Sequence, residues 1–245
     1  MKIIVHGAGG RMGQVLCDLI EKSEKYTLAA KVSAEFETDE DNLIFKNIKE
    51  FKGESDIIID FSHHSATEDI CSYAKEKSIP LIIATTGHTE EEIAIINETA
   101  SSVAVFKSGN MSLGIALVAC LAKIASKTFP DADIEIIEKH HNQKIDAPSG
   151  TAKLLYDVMS EDIDAKPIYD RSEVHHKREK NEIGIQSMRG GTIFGEHTIM
   201  FAGKDEIVEV KHTALSKEVF AQGAIAALKA IYNKENGLFT LKNLY

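Results

Sequence analysis

The 245-residue sequence predicts an α/β protein of two domains, a parallel-sheet domain followed by an α+β domain. Three observations carry this. Short, uniformly apolar strand runs alternate with helical stripes over residues 1–110, the order that builds a parallel sheet with right-handed crossovers. A glycine-rich turn stands directly between the first strand and the first helix. Beyond about residue 110 the later strands follow one another without helices between them, an α+β pattern.

In chain order, residues 2–6 (KIIVH) form a strand, and Met12, Val15, Leu16, Leu19 and Ile20 recur at helical steps. Residues 27–32 make a second strand. The stretch 33–55 is acidic and irregular, and no element is assigned to it. The run IIIDF at 57–61 suits a strand buried on both faces. Ser65 with Glu68, and Thr89 with Glu92, form capping boxes for two helices, ending near Lys77 and Ala100. Between them Pro80 opens the strand LIIAT, and 103–106 make another. A long apolar helix over 112–128 follows, then a strand at 133–141 and a helix from Ser149 to about Ser160. Residues 162–181 read as a polar loop. Strands near 182–188, 192–202 and 206–213 form an antiparallel pattern, and a last helix starts near Ser216.

The formal net charge of -10 sets the whole-molecule field against nucleic acid and anionic lipid, so neither is expected as a partner. Cys17, Cys71 and Cys120 are scattered without metal-ligand spacing and read as free thiols. No leader pattern precedes the first strand, and the longest apolar run, around 115–122, is too short to span a bilayer. The expectation is a cytoplasmic protein.

The turn HGAGGRMG at 6–13 places Gly7, Gly10 and Gly13 at three-residue steps, with Gly9 between them. Glycine permits the tight turn and lets backbone N–H groups approach a pyrophosphate, which the following helix N-terminus attracts. This predicts a Rossmann-type dinucleotide site, with Arg11 beside the phosphates. The second strand runs into Lys31, Val32, Ser33 and Ala34, and the first acid after it is Glu35. An acid there would favour NADH; Ser33 or Lys31 accepting a 2′-phosphate would favour NADPH, and the balance leans slightly to NADPH. Ala84, Thr85 and Thr86, and Ser108, Gly109, Asn110 and Met111, end further strands on the same expected ligand-binding edge.

The segment 135–152, EIIEKHHNQKIDAPSGTA, concentrates the remaining chemistry. His140, His141 and Lys144 supply proton-donating or cationic groups. Ser149, Gly150 and Thr151 open a helix whose N–H and hydroxyl groups suit a carboxylate. The three His-His pairs (63–64, 140–141 and 175–176) do not suggest a metal, because adjacent strand residues point to opposite faces; the pairs at 63–64 and 175–176 read as loop residues.

GAGGRMG at 7–13 together with EKHHNQKIDAPSGTA at 138–152 resembles the 4-hydroxy-tetrahydrodipicolinate (dihydrodipicolinate) reductase family. TTG at 85–87, RGGTIFGEHT at 189–198 and VFAQGAIAAL at 219–228 extend the likeness along nearly the whole chain. The resemblance implies an oxidoreductase of diaminopimelate and lysine biosynthesis, using NADPH or NADH on a small dicarboxylate heterocycle. It implies His140 as proton-transfer residue and Lys144 as proton donor. His141, Ser149, Gly150 and Thr151 become substrate contacts. Gly7, Ala8, Gly9, Gly10, Arg11, Met12, Ser33, Ala84, Thr85, Thr86, Ser108, Gly109, Asn110 and Met111 become coenzyme contacts. It further implies a homotetramer. The expected fold is thus a Rossmann-type domain formed by 1–110 and 216–245, plus an α+β substrate-binding and oligomerisation domain over 111–215. A generic amino-acid dehydrogenase would share the glycine turn but would not need the His-His-x-x-Lys cluster. A redox-sensing DNA-binding regulator would need a basic module that this acidic chain does not carry.

Overall fold

A computed structural model describes residues 1–161 and 163–244. Asp162, at the start of the expected loop 162–181, and Tyr245, at the end of the expected segment 216–245, lie outside the described residues. The strands and helices are, in order, β1 (Lys2–His6), α1 (Arg11–Glu21), β2 (Thr27–Val32), β3 (Ile44–Phe45), β4 (Ile57–Asp60), α2 (Thr67–Lys77), β5 (Leu81–Ile83), α3 (Glu90–Ala100) and β6 (Ala104–Lys107). There follow α4 (Leu113–Thr128), β7 (Asp133–His140), α5 (Gly150–Ser160), β8 (Lys166–Ile168), β9 (Glu182–Arg189), β10 (Gly195–Ala202) and β11 (Ile207–Ala214), then α6 (Glu218–Ile231) and β12 (Gly237–Phe239). They group into two compact units, one of Met1–Leu113 with Lys217–Leu244, the other of Gly114–Ser216.

The first unit is a parallel sheet of order β12-β6-β5-β4-β1-β2-β3. Its central strands are apolar on both faces because both faces are covered. Ile4 and Ile58 pack into one core with Ile70 of α2 and Ile96 of α3. Ile3, Val5, Ile57 and Ile59 pack into the other with Leu16 of α1 and Leu228 of α6. Each fully buried isoleucine contributes about 1.5–3 kcal/mol of transfer free energy. The order reverses direction between β1 and β4, which opens the crevice that dinucleotide folds use at the strands' carboxyl ends.

Several local expectations need correction. The unassigned stretch 33–55 contains β3, two residues long, flanked by 3-10 turns; the strand is too short to show a period. The Thr89–Glu92 capping box forms, but the Ser65–Glu68 box does not. Ser65 lies inside a 3-10 turn, His64–Ala66, whose start is capped by the His63 side chain, so the 63–64 pair is not plain loop. A seventh strand, β12, follows α6 and pairs with β6.

The second unit is a mixed five-stranded sheet of order β11-β10-β7-β9-β8. β10 runs antiparallel to both β7 and β11, whereas β9 is parallel to β7 and β8. Of the antiparallel pattern expected for the last three strands, β10 and β11 pair as expected, but β9 and β10, though opposite in direction, are not neighbours because β7 inserts between them. The polar stretch expected as loop carries β8 and a 3-10 turn at Arg171–Glu173. One sheet face is packed by α4 and α5 through Val118, Ala122, Leu155 and Met159 against Ile136, Ile185, Ile199 and Phe201.

Two glycines respond oppositely to a methyl group. A Cβ on Gly223 of α6 would stand 1.6 Å from the Met111 carbonyl oxygen, whereas one on Gly150 meets nothing within 4 Å. An alanine normally stabilises a helix interior by up to about 1 kcal/mol over glycine. Gly223→Ala is expected to reverse that sign and destabilise by about 1–3 kcal/mol or more through overpacking. Gly150→Ala should change stability by about 0.5 kcal/mol or less. Urea unfolding of both variants checks this; a neutral Gly223→Ala would contradict the close approach of α6 to Met111.

Candidate functional site

In the first unit, β1 ends at the glycine turn. Gly7 has φ +82°, and a Cβ there would lie 2.6 Å from the Phe61 backbone; on Gly13 it would lie 2.1 Å from the Gly7 carbonyl oxygen. Only glycine fits at either position. Gly10 is the N-cap of α1 and brings no capping side chain, so the first-turn N–H groups face outward for an anion. Arg11 is exposed at that turn.

A cleft of about 440 Å³ runs beside it, lined among others by His6, Gly7, Gly10, Ser33, Glu35 and Lys46. The Ser33 hydroxyl and the Glu35 carboxylate both approach Gly9: its Cβ position lies 2.7 Å from the one and 3.3 Å from the other. Lys31 is engaged by Glu21 at 2.6 Å and Lys46 by Glu37 at 3.0 Å. This shape and donor set fit a dinucleotide.

The same strand ends carry a buried polar network that the sequence reading missed. Asp60, 2 % exposed, accepts from the Thr85 hydroxyl at 2.6 Å and the Ser62 N–H at 3.1 Å, and its Oδ1 lies 3.0 Å from His6 Nδ1. Thr85 is thereby fixed through Asp60, while Ala84 and Thr86 flank it after β5. Ser108 and Asn110 are buried after β6, where the Ser108 hydroxyl donates to the Asn110 carbonyl at 2.5 Å. Gly109 and Met111 belong to the same turn.

The second unit holds the other cluster. Strand alternation points Ile134, Ile136, Glu138 and His140 to the helix-covered face of β7. The register sets His197 opposite Glu138 and Arg189 opposite His140. Glu138 has no exposed side-chain surface. Its carboxylate accepts two bonds from the Arg189 guanidinium, both 2.8 Å, one from the Ser149 N–H at 3.1 Å, and one from His140 Nδ1 at 2.6 Å. Burial alone would raise its pKa, but Arg189, Ser187, His140 and the Ser149 amide outweigh that and hold it at about 2. An ionised carboxylate only accepts, so His140 Nδ1 must carry the proton and Nε2 the lone pair. That Nε2 is aimed past Gly195, where a Cβ would stand 3.1 Å away. Burial, ahead of the upward pull of Glu138, depresses the His140 pKa, and the nearby Lys144 and Arg189 charges add to the depression.

Lys144 forms an ion pair with Asp146 at 2.7 Å. Asp146 lies below the usual carboxylate range despite burial, held by that pair. His141 is half-buried just after β7, and its carbonyl accepts from the Lys144 N–H. Ser149 is 1 % exposed: its hydroxyl accepts the Ala152 N–H at 3.2 Å as N-cap of α5 and lies 3.0 Å from His197 Nε2. Gly150 and Thr151 form the first turn of α5, with open space over Gly150. His140, Lys144 and the α5 N-terminus therefore share one neighbourhood. Glu138, Arg189 and His197 complete it and were not singled out from the sequence. A glutamate at an inward position of an otherwise apolar period-two strand was the available signal.

His197 is buried edge-on to His140, ring centroids 5.1 Å apart. Burial, then the neighbouring His140, push its pKa from 6.5 to about 3. Between those values the unfolded chain binds the proton and the folded one does not, so stability falls as pH falls from about 6.5. The Glu138 contribution is lost lower, from its ordinary 4.5 down to about 2. Between pH 6 and 5, His197→Gln is expected to flatten the stability-versus-pH slope by about 1 kcal/mol per pH unit. An unchanged slope in urea titrations would mean that His197 is not held neutral.

Comparison with known proteins finds matches along the chain. The profile described as "Dihydrodipicolinate reductase, N-terminus" matches residues 1–111, and that described as "Dihydrodipicolinate reductase, C-terminus" matches 114–245. A 4-hydroxy-tetrahydrodipicolinate reductase of Exiguobacterium sibiricum is 44 % identical over 245 residues, covering 100 % of this chain and 96 % of its own. One of Clostridium tetani is 43 % identical over 244 residues, covering 98 % and 95 %. The dipicolinate-bound dihydrodipicolinate reductase of Paenisporosarcina sp. TG-14 shares the fold, with TM-score 0.81 at 21 % identity over 100 % of this chain and 99 % of that one.

Proposed function

The chain belongs to the dihydrodipicolinate reductase family, and we infer from that membership and from its two sites how the reaction is divided between them. It is an NAD(P)H-dependent oxidoreductase that reduces 4-hydroxy-tetrahydrodipicolinate to tetrahydrodipicolinate in the diaminopimelate and lysine pathway. The observation that carries the division is the His140–Lys144 cluster beside the open N-terminus of α5. The bound dinucleotide, NADPH or NADH, supplies hydride.

The chain's own residues bind, orient and move protons. Gly7, Ala8, Gly9, Gly10, Arg11 and Met12 hold the pyrophosphate at the start of α1. Ser33 borders the adenosine end, and Ala84–Thr86 with Ser108–Met111 complete the coenzyme edge. The Gly150 and Thr151 amides and His141 hold the substrate's carboxylates, with Ser149 shaping that turn through its cap. Lys144 is the cation positioned to give up a proton, and the Nε2 lone pair of His140 is the acceptor and relay. The domain assignment follows: 1–110 with 216–245 bind the dinucleotide, and 111–215 bind substrate and oligomerise. Exposed Met188 and Ile207 on the second sheet support a homotetramer. A solution mass four times the 26.9 kDa chain would bear that out, and a monomer would sink it. Free thiols at all three cysteines support a cytoplasmic location, and no helix among the described residues is long and apolar enough to cross a membrane.

Turnover is measured by loss of reduced-nicotinamide absorbance, with substrate made in place by the preceding synthase. Lys144→Ala and His140→Ala should each lower kcat by about 10²–10⁴-fold. Coenzyme affinity by calorimetry should stay within about twofold, since neither residue is in the first unit. Near-normal turnover of Lys144→Ala would remove it from the proton-donor role.

Coenzyme choice rests on the two lips of the adenosine cleft. Glu35 suits the ribose hydroxyls of NADH, and Lys46 is the cleft cation that a 2′-phosphate would draw away from its partner Glu37. Glu35→Ala is expected to shift the NADPH/NADH ratio of kcat/KM towards NADPH by about tenfold or more, and Lys46→Ala the other way. An unchanged ratio in both variants would place the discrimination elsewhere.

A further inference from the structure

Two proton-handling residues on different segments must keep a fixed relation, yet neither touches the other's anchor directly. His140 ends β7 and is held through Nδ1 by Glu138. Lys144 lies in the following turn and is held by Asp146. One side chain reaches both anchors. The guanidinium of Arg189, opposite His140 at the end of β9, spends both terminal nitrogens on the two oxygens of Glu138, at 2.8 Å each. The same Nη2 donates to the main-chain carbonyl of Asp146 at 2.6 Å, and Nη1 donates to the Met188 carbonyl at 2.7 Å.

We propose that Arg189 is the positioning residue of this reductase, setting the His140 imidazole through Glu138 and the Lys144 ammonium through the Asp146 turn. The inference rests on the assignment of His140 and Lys144 to proton transfer. Its physical basis is the planar fork. A guanidinium meets both carboxylate oxygens in one plane and keeps N–H groups for two carbonyls. A lysine at the same place carries its three donors on one nitrogen, without the planar fork that meets both Glu138 oxygens and the Asp146 carbonyl together. With the fork intact, Glu138 cannot rotate, so its Oε2 stays on His140 Nδ1 and the reacting Nε2 is fixed in tautomer and direction. With the Asp146 carbonyl tied, the turn carrying Lys144 is fixed to the same strand end.

The test is a mutant cycle in the full-length enzyme. Arg189→Lys is expected to lower kcat about 10–100-fold, the cost of misplacing positioned groups, with coenzyme affinity by calorimetry within about twofold. Combined with His140→Ala and Lys144→Ala, Arg189→Lys should add less than about threefold, because the groups it positions are gone. A purely structural role would instead carry its full loss into that background. Glu138→Gln supplies a second reading if Arg189→Lys folds poorly. Nitrogen-15 spectra should show His140 Nδ1-protonated in the wild type and a mixture of tautomers in Glu138→Gln. Full additivity of the losses, Arg189→Lys turnover within about twofold of wild type, or an unchanged tautomer in Glu138→Gln would each overturn the proposal.

Discussion

The buried carboxylate of Glu138 is the constraint around which the second unit is organised. An isolated ion with no exposed surface costs several kcal/mol even after relaxation. The structure meets that cost with four hydrogen bonds, and each fixes something else. The Arg189 fork joins the ends of β7 and β9. The Ser149 amide sets where α5 begins. The His140 bond dictates the tautomer. One buried charge therefore determines the start of a helix, the pose of an imidazole and the pairing of a strand end. Removing Arg189 altogether would leave that carboxylate unmatched, which is why the conservative lysine is the informative substitution.

The first unit obeys a steric constraint of a different kind. Its turn works because backbone takes the space that side chains would fill: Gly7 against Phe61, Gly13 against the Gly7 carbonyl. The dense packing that follows leaves the N–H groups of α1 as the polar surface at that point. Asp60 plays a part parallel to that of Glu138, a buried carboxylate at a strand end whose partners, Thr85, Ser62 and His6, come from neighbouring segments. In both units a buried acid at the carboxyl end of a strand aligns segments that are remote in sequence.

What the sequence reveals divides along these lines. The glycine turn is legible because its requirement is local, three glycines between one strand and one helix. The Ser149 helix start and the His140–Lys144 spacing are local too. The Thr89–Glu92 box forms as written, whereas Ser65–Glu68 does not, because His63 caps an intervening 3-10 turn. Arg189 and His197 fall in the run 189–198 that extends the family likeness, but their partnership with Glu138 is not legible locally. They lie 51 and 59 residues from Glu138, and only the register of β9 and β10 against β7 brings them to it. The mixed sheet hides for the same reason: insertion of β7 between β9 and β10 is a pairing choice, and strand patterns carry no pairing partners. Strands of two or three residues, β3, β8 and β12, are too short to display a period at all.

The net charge of -10 makes anion binding a local matter. Around His140 the cations are already matched, Arg189 by Glu138 and Lys144 by Asp146, so the cluster projects little field into solvent. What remains is short-range and directional: the amides at the start of α5, and in the first unit those at the start of α1. Such donors act within hydrogen-bonding distance. The acidic surface beyond is screened over about 8 Å at physiological ionic strength. Recognition then depends on placing carboxylate oxygens at particular amides rather than on carrying negative charge. In the proposed division of roles, a dicarboxylate held at the α5 N-terminus would compete with Asp146 for Lys144. If Lys144 is the proton donor proposed above, binding and presentation of that donor become one event, because Lys144 is paired with an acid of its own turn.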